Sequence, residues 1–199
     1  FSAIFFHAEE NRRRFLAQFQ EPLAKTHLIP MGTVNIFVQP TGAQSTSEEV
    51  DRRYQLEPDC PLLLFFGILT VSKGLPDLLQ AFAILHQQYK TEQQDADEKD
   101  TGEPGSKVKL LIAGYPSKFI DIAELQQLTV ELGIGDAVIW DTRYIPNEEV
   151  QGLMERATAV VYPYRNGSQS ASIQVAYAFG RPVVATRVGG LPEIVEDGK

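Results

Sequence analysis

The sequence is poor in the residues that make frameworks, metal sites and membrane spans. Cys60 is the single cysteine, so no intrachain disulfide is available, which fits a reducing compartment. With three histidines and one cysteine in no ligand spacing, a structural zinc site is not expected. No apolar run approaches the ~20 residues needed to span a membrane. The first residues, FSAIFFHAEENRRRF, place their positive charges after the apolar ones and offer no small-residue cleavage site, so they do not read as a signal peptide. An initiator Met is also missing, and the last residues, Glu196 to Lys199, follow directly on a helix-like pattern. Both ends read as cut, and the chain is expected to be a fragment. Basic residues are outnumbered, 18 to 26, and the net charge of −8 argues against nucleic acid as the main partner.

What remains is the composition of one globular core: 199 residues, 43% hydrophobic and 22% charged. Much of the negative charge is local. Residues Thr91 to Lys107 carry six acidic side chains against two lysines and nothing apolar larger than Ala96. That stretch reads as a disordered surface insertion, with an acidic docking loop as the functional alternative.

The N-terminal 38 residues give a short apolar run, Ala3 to Phe6, a charged helix over Glu9 to Phe19, and a strand at Leu28-Ile29-Pro30 turning at Gly32. A polar linker follows from residue 39 to 60, with an N-cap expected at Ser45 or Ser47 and a short helix through Tyr54 and Leu56. From Pro61 the pattern changes. Buried strands at Pro61–Leu69, Val108–Ala113, Ala137–Trp140, Ala159–Tyr162 and Pro182–Ala185 alternate with helices. Leu75, Leu78, Leu79, Phe82, Leu85 and Tyr89 keep the i, i+3, i+4, i+7 spacing of a helix packed on a core. Further helices are expected over Ser117–Leu132, from an N-cap at Asn147, over Ala171–Phe179, and starting at Leu191-Pro192-Glu193. Continuously apolar strands belong to a parallel sheet covered on both faces. The fold class is therefore α/β, a Rossmann-like doubly wound parallel sheet.

In such sheets ligands sit beyond the C-terminal strand ends. Gly67 would let a ligand approach the backbone after the first strand, and Lys73 precedes a helix start, where a cation suits a diphosphate; the plain alternative is a solvated lysine. Gly114-Tyr115 is a tight turn that either faces ligand or only turns. Arg143 is an exposed cation at a strand end, for surface charge or for phosphate or acceptor contact. Ser168, Gln169 and Ser170 precede a helix whose unpaired N–H groups attract anions, unless one serine is simply its N-cap. No dinucleotide fingerprint, ATPase P-loop, Ser-His-Asp or Cys-His set is recognisable. Glu148 and Glu149 suit a helix's first turn, and a structural role is expected of His7.

Taken together, LLLFFGILTVSKGLPDLLQAF, VKLLIAG, AVIWDTRYIPNEEVQGLMERATAVVYPY and SQSASIQVAYAFGRPVVATRVGGLPEIVEDGK resemble the C-terminal domain of the GT-B retaining glycosyltransferases, group 1 (family 4). The likeness covers roughly residues 61 to 199, while FFHAEENRRRFL and IPMGTVNIF look like the end of the N-terminal domain and the linker. It implies a division into 1–38, tail of the N-terminal domain and interdomain segment, and 39–199, a nucleotide-sugar-binding domain. It implies a UDP-, GDP- or ADP-sugar donor, its base by the Arg143-Tyr144-Ile145 backbone and its diphosphate by Gly67, Lys73 and the helix start at Ser170–Ala171. Transfer would be to a glycan, lipid or small acceptor held mainly by the missing N-terminal domain, with retention and without a bound metal. The setting would be cytoplasmic, or peripheral at the inner membrane face through missing parts.

Two departures stand out. Ile68 follows Gly67 where the family usually has an arginine. The family's paired glutamates fall on Gly167 and Val175, although a subgroup with Ser-Gln-Ser in this loop also lacks the second one. A non-catalytic GT-B module binding nucleotide sugar or a protein partner is therefore the competing reading. A sugar-nucleotide epimerase of the same fold comes third, because its acid–base residues find no place here. The isolated fragment is expected to be inactive, since the interdomain cleft would be incomplete.

Overall fold

The computed structural model describes residues 2–32, 37, 45–97, 108–167 and 169–198, with residues 92–97 as backbone only. Two parallel sheets organise it. The smaller joins β1 (Ile4–Phe6) to β2 (Thr26–Leu28), with helix α1 (Glu9–Gln18) between them. Glu9 and Glu10 in the first turn of α1 favour its positive end, and Glu10 binds both Arg13 and Arg14. β2 lies two residues earlier than the sequence pattern suggests. Ile29 adds one more bond, to the Phe6 carbonyl at 2.8 Å, and Pro30 then has no N–H with which to continue the ladder.

Helix α2 (Ser47–Tyr54) is capped by Thr46 rather than by Ser45 or Ser47. The Thr46 hydroxyl accepts from Glu49 N at 3.3 Å, and Glu49 returns a bond to Thr46 N at 3.1 Å. Ser45 is occupied elsewhere: its N–H and hydroxyl donate to the carbonyls of Glu148 and Glu149.

The larger sheet holds β3 (Leu62–Phe66), β4 (Lys109–Ala113), β5 (Val138–Asp141), β6 (Ala159–Tyr162) and β7 (Val183–Ala185), all parallel, in the order β5-β4-β3-β6-β7. Helices α3 (Leu75–Asp97), α4 (Ile122–Glu131), α5 (Asn147–Arg156) and α6 (Ala171–Ala178) connect the strands. This is the expected doubly wound sheet. Its centre is fully buried: Leu62, Leu64, Phe65, Leu110, Leu111, Ile112 and Val160 expose nothing. The order of connection across the sheet reverses between β3 and β6, the kind of switch point beside which such sheets bind ligands.

Several boundaries differ from the sequence reading for local reasons. α3 runs on to Asp97, so residues 91–97, expected to be disordered, continue the helix. Their Glu, Gln and Ala are good helix formers and no Gly or Pro interrupts them; the rest of that insertion, 98–107, lies outside the described residues. α4 begins at Ile122, not Ser117, because the Asp121 carboxylate takes the amides of Ala123 and Glu124 at 2.9 and 3.2 Å. Asn147 is the first helical residue of α5 rather than its cap. The helix expected from Leu191 is one 3-10 turn, Leu191–Glu193.

Candidate functional site

Three backbone loops lie side by side at the C-terminal edge of the larger sheet. Gly67 N donates to the Ala113 carbonyl at 3.1 Å, Leu69 N to Tyr115 at 2.8 Å, Ser117 N to Leu69 at 2.8 Å, and Gly114 N to Asp141 at 2.9 Å. The loops after β3, β4 and β5 thus form one hydrogen-bonded ledge. The fit is tight at Gly114, whose φ is +153° and where a Cβ would stand 1.9 Å from the Gly67 carbonyl oxygen. A Cβ on Gly67 would meet the Ser172 hydroxyl at 3.0 Å, so this glycine abuts the first turn of α6.

The second wall comes from the loop after β6. Ser72, in the 3-10 turn Val71–Lys73, accepts from Arg165 N at 2.9 Å and Asn166 N at 3.3 Å. At Gly74, φ +68°, a Cβ would fall 1.9 Å from the Pro163 carbonyl oxygen. The two loops could not lie this close with any side chain there.

Lys73 occupies the corner these walls make. Its ammonium sits 3.5 Å above the centroid of the buried Tyr164 ring, a cation–π contact. The Tyr164 hydroxyl pairs with Ser170 Oγ at 2.9 Å, and Tyr162 donates to the Ser172 carbonyl at 2.6 Å. Desolvation draws the Lys73 pKa down to about 8, with no acidic neighbour among the described residues opposing it. Burial raises the Tyr164 phenol above its ordinary range. Ser170 stands at the N-cap position of α6, yet its side chain makes no capping bond; the hydroxyl faces Tyr164 instead. The simple N-cap reading of Ser170 therefore fails. Gln169 donates from Nε2 to the His7 carbonyl at 3.0 Å, and its Oε1 is buried without a partner. Ser168 lies outside the described residues.

Pairwise contacts thus link Gly67 to Gly114 and to the first turn of α6, and Lys73 through Tyr164 to Ser170, which directly precedes Ala171; Gln169 instead reaches the His7 carbonyl. The structure treats the other three expected residues differently. Arg143 is held by Asp141 at 2.9 Å and by Glu149, which also binds Arg53. Hydrogen bonding to Glu149 raises the Arg143 pKa further, and the same bond lowers that of Glu149. Tyr54 donates to Asp141 at 2.6 Å, and burial together with that carboxylate pushes its phenol up to about 12. Arg143 is therefore no free surface cation. Its neighbours line a cavity of about 490 Å³ with Trp140. Tyr144 is exposed, and the Ile145 side chain belongs to the core.

Tyr164, the seat of Lys73, is the residue that sequence reasoning missed; the pair is 91 positions apart and no local pattern links them. The two departures have clear places. Ile68 is 60% exposed at the ledge, and Val175 is 4% exposed inside α6. The structural role expected of His7 is visible: its Nδ1 hydrogen-bonds to the Ile29 carbonyl at 2.8 Å. Glu148 and Glu149 stand in the first turn of α5, as expected. Among the described residues, no three His, Cys, Asp or Glu side chains cluster as metal ligands would, and no helix is long and apolar enough to cross a membrane.

Comparison with known proteins places the family and the fold. A D-inositol 3-phosphate glycosyltransferase of Corynebacterium urealyticum is 32% identical over 163 residues, covering 79% of this chain and 34% of that protein. A GDP-mannose-dependent alpha-(1-6)-phosphatidylinositol monomannoside mannosyltransferase of Mycolicibacterium smegmatis is 28% identical over 203 residues, covering 98% and 47%. Among solved structures, Anabaena HepE in complex with UDP and glucose superposes with a TM-score of 0.73 at 19% identity, covering 99% of this chain and 47% of that one. The fold is one half of the GT-B architecture. The chain spans between about a third and a half of the length of these relatives. Residues 60–199 match the family described as Glycosyl transferases group 1, and the chain belongs to that family.

Proposed function

We propose that this chain is the donor-binding half of a retaining glycosyltransferase, which moves a sugar from a nucleoside diphosphate to a glycan, lipid or small acceptor. In this reading residues 39–199 form the donor domain, and residues 1–38 are the tail of the N-terminal, acceptor-side domain and the interdomain segment. The observation that carries it is Lys73: a half-buried ammonium on an aromatic seat, without an acidic partner among the described residues, at the crevice where such sheets bind ligands. A desolvated cation without a counter-ion is a ready partner for a diphosphate. Gly67 admits the ligand to the backbone beside α6, whose first amides have no side-chain cap among the described residues. Arg143, Tyr144 and Ile145 enter through their backbone, beside the base. The relatives support the donor class, since one is named for GDP-mannose and a solved neighbour holds UDP.

Thermal unfolding with UDP, GDP, ADP and their sugars tests this reading. A ligand at ~100 times its Kd adds about 2.7 kcal/mol, and one nucleotide is expected to raise the midpoint well above the others. No shift with any of them would overturn it. The second reading, a binding module without catalysis, is favoured by Ile68 and Val175, an exposed apolar side chain and a buried one where charged groups would grip the donor. Binding without transfer by the full-length protein would select it.

A further inference from the structure

We propose that Arg165 is a second ligand for the donor diphosphate, held by Asp77 until the ligand enters. The inference rests on the nucleotide-sugar reading above. The backbone N–H of Arg165 donates to Ser72 at 2.9 Å, which fixes this residue against the turn that carries Lys73. Its guanidinium reaches the first turn of α3, where Nε and a terminal nitrogen bond the two oxygens of Asp77 at 2.5 and 2.8 Å. Asp77 Oδ2 lies 3.3 Å from where a Cβ on Gly74 would stand, and Gly74 directly follows Lys73. Two cations therefore flank one turn at the C-terminal edge of the sheet. Among the described residues one has no acidic partner, and the other has a partner it can leave.

The physical case lies in the contrast between those partners. Arg165 and Asp77 are 52% and 49% exposed, so solvent and salt weaken their attraction. A diphosphate offers more charge and two oxygens in the geometry a guanidinium fork matches. Asp77 is not stranded by the exchange, because a carboxylate in a helix's first turn is favoured by the helix dipole. Ile68, on the ledge opposite, brings no charge of its own.

UDP and uridine are titrated calorimetrically into the unaltered chain, Arg165→Met, Asp77→Asn and the double variant, with each unliganded unfolding midpoint recorded. Arg165→Met is expected to weaken UDP by about tenfold and leave uridine unchanged. Asp77→Asn is expected to tighten UDP by ~2- to 5-fold, and the gain should vanish in the double variant. If both single variants weaken UDP alike, the pair is a structural clamp and the proposal is wrong. A gain that survives in the double variant means a general charge effect and also overturns it. UDP binding that depends on Lys73 but ignores Arg165→Met removes this proposal alone; an unaltered chain that binds no nucleoside diphosphate removes the donor reading with it.

Discussion

Past the end of β3 a lysine stands without an acid among the described residues, while past the end of β5 an arginine stands between two. Lys73 rests on Tyr164 with desolvation as the single cause of its lowered pKa. Arg143 is bound by Asp141 and Glu149, and Arg53 shares the second of these. Both residues look alike in the sequence: a cation in a loop just past a buried strand. What separates them is what the fold brings opposite. An aromatic face leaves the lysine's charge uncompensated among the described residues. Two carboxylates neutralise the arginine and tie α2, β5 and α5 together. A cation in a strand-end loop is open to a ligand when its neighbours leave it uncompensated, or when its partner is an exposed one that it can leave, as proposed for Arg165.

The largest effect that would break this contrast is expected at Gly74. Gly74→Ala puts a Cβ 1.9 Å from the Pro163 oxygen at a φ of +68°. The two loops must part, and stability should fall by at least ~3 kcal/mol in urea unfolding. An unchanged midpoint would mean that the crevice wall is not locked.

Next in size is Lys73→Met, expected to weaken UDP by roughly 10- to 100-fold, the loss of a charge-assisted bond. The unliganded protein should be no less stable, because the variant removes a desolvated charge. A destabilised variant with intact UDP affinity would give Lys73 a structural task instead.

The pH dependence sharpens the same point. In the proposed reading UDP pairs with the ammonium, so its affinity is expected to fall as pH rises through about 8. Stability of the unliganded chain should move the other way. The folded pKa is about 8 against an ordinary 10.5, so between those values the unfolded chain holds more protons. Stability then increases with pH across that window, and the increase should be absent from Lys73→Met. Matching pH profiles for the two proteins would contradict the desolvated lysine.

The smallest effect belongs to Arg143→Met. Its ion pairs are part-exposed, so about 1 kcal/mol or less of stability should be lost. UDP affinity should stay within about twofold, and a tenfold loss would show that the arginine leaves its carboxylates to meet the donor.

The sheet was legible because parallel strands covered on both faces are written as unbroken apolar runs, such as LLLFF over Leu62–Phe66. Gly67, Lys73, Gly114, Gln169, Ser170 and Ala171 were legible as strand-end and helix-start positions. Helix starts were read less well, because each depends on a competition for hydrogen bonds. Ser45 lost the cap of α2 to Thr46 by bonding α5, and Ser117 was drawn into the ledge by Leu69. Nothing near Lys73 in the chain announces Tyr164, and nothing near Arg143 announces Arg53 or Tyr54.

By itself, then, the sequence determined the alternation of strand and helix, the parallel sheet and the edge that holds its strand-end loops. Those follow from periodicity and from the chemistry of Gly and Pro, which act over a few residues. Only the tertiary structure decided which cation is free and which is neutralised. What faces a cation is set by side chains that the chain brings together from far apart: the Tyr164 ring is 91 residues from Lys73, and the Asp77 carboxylate is 88 from Arg165.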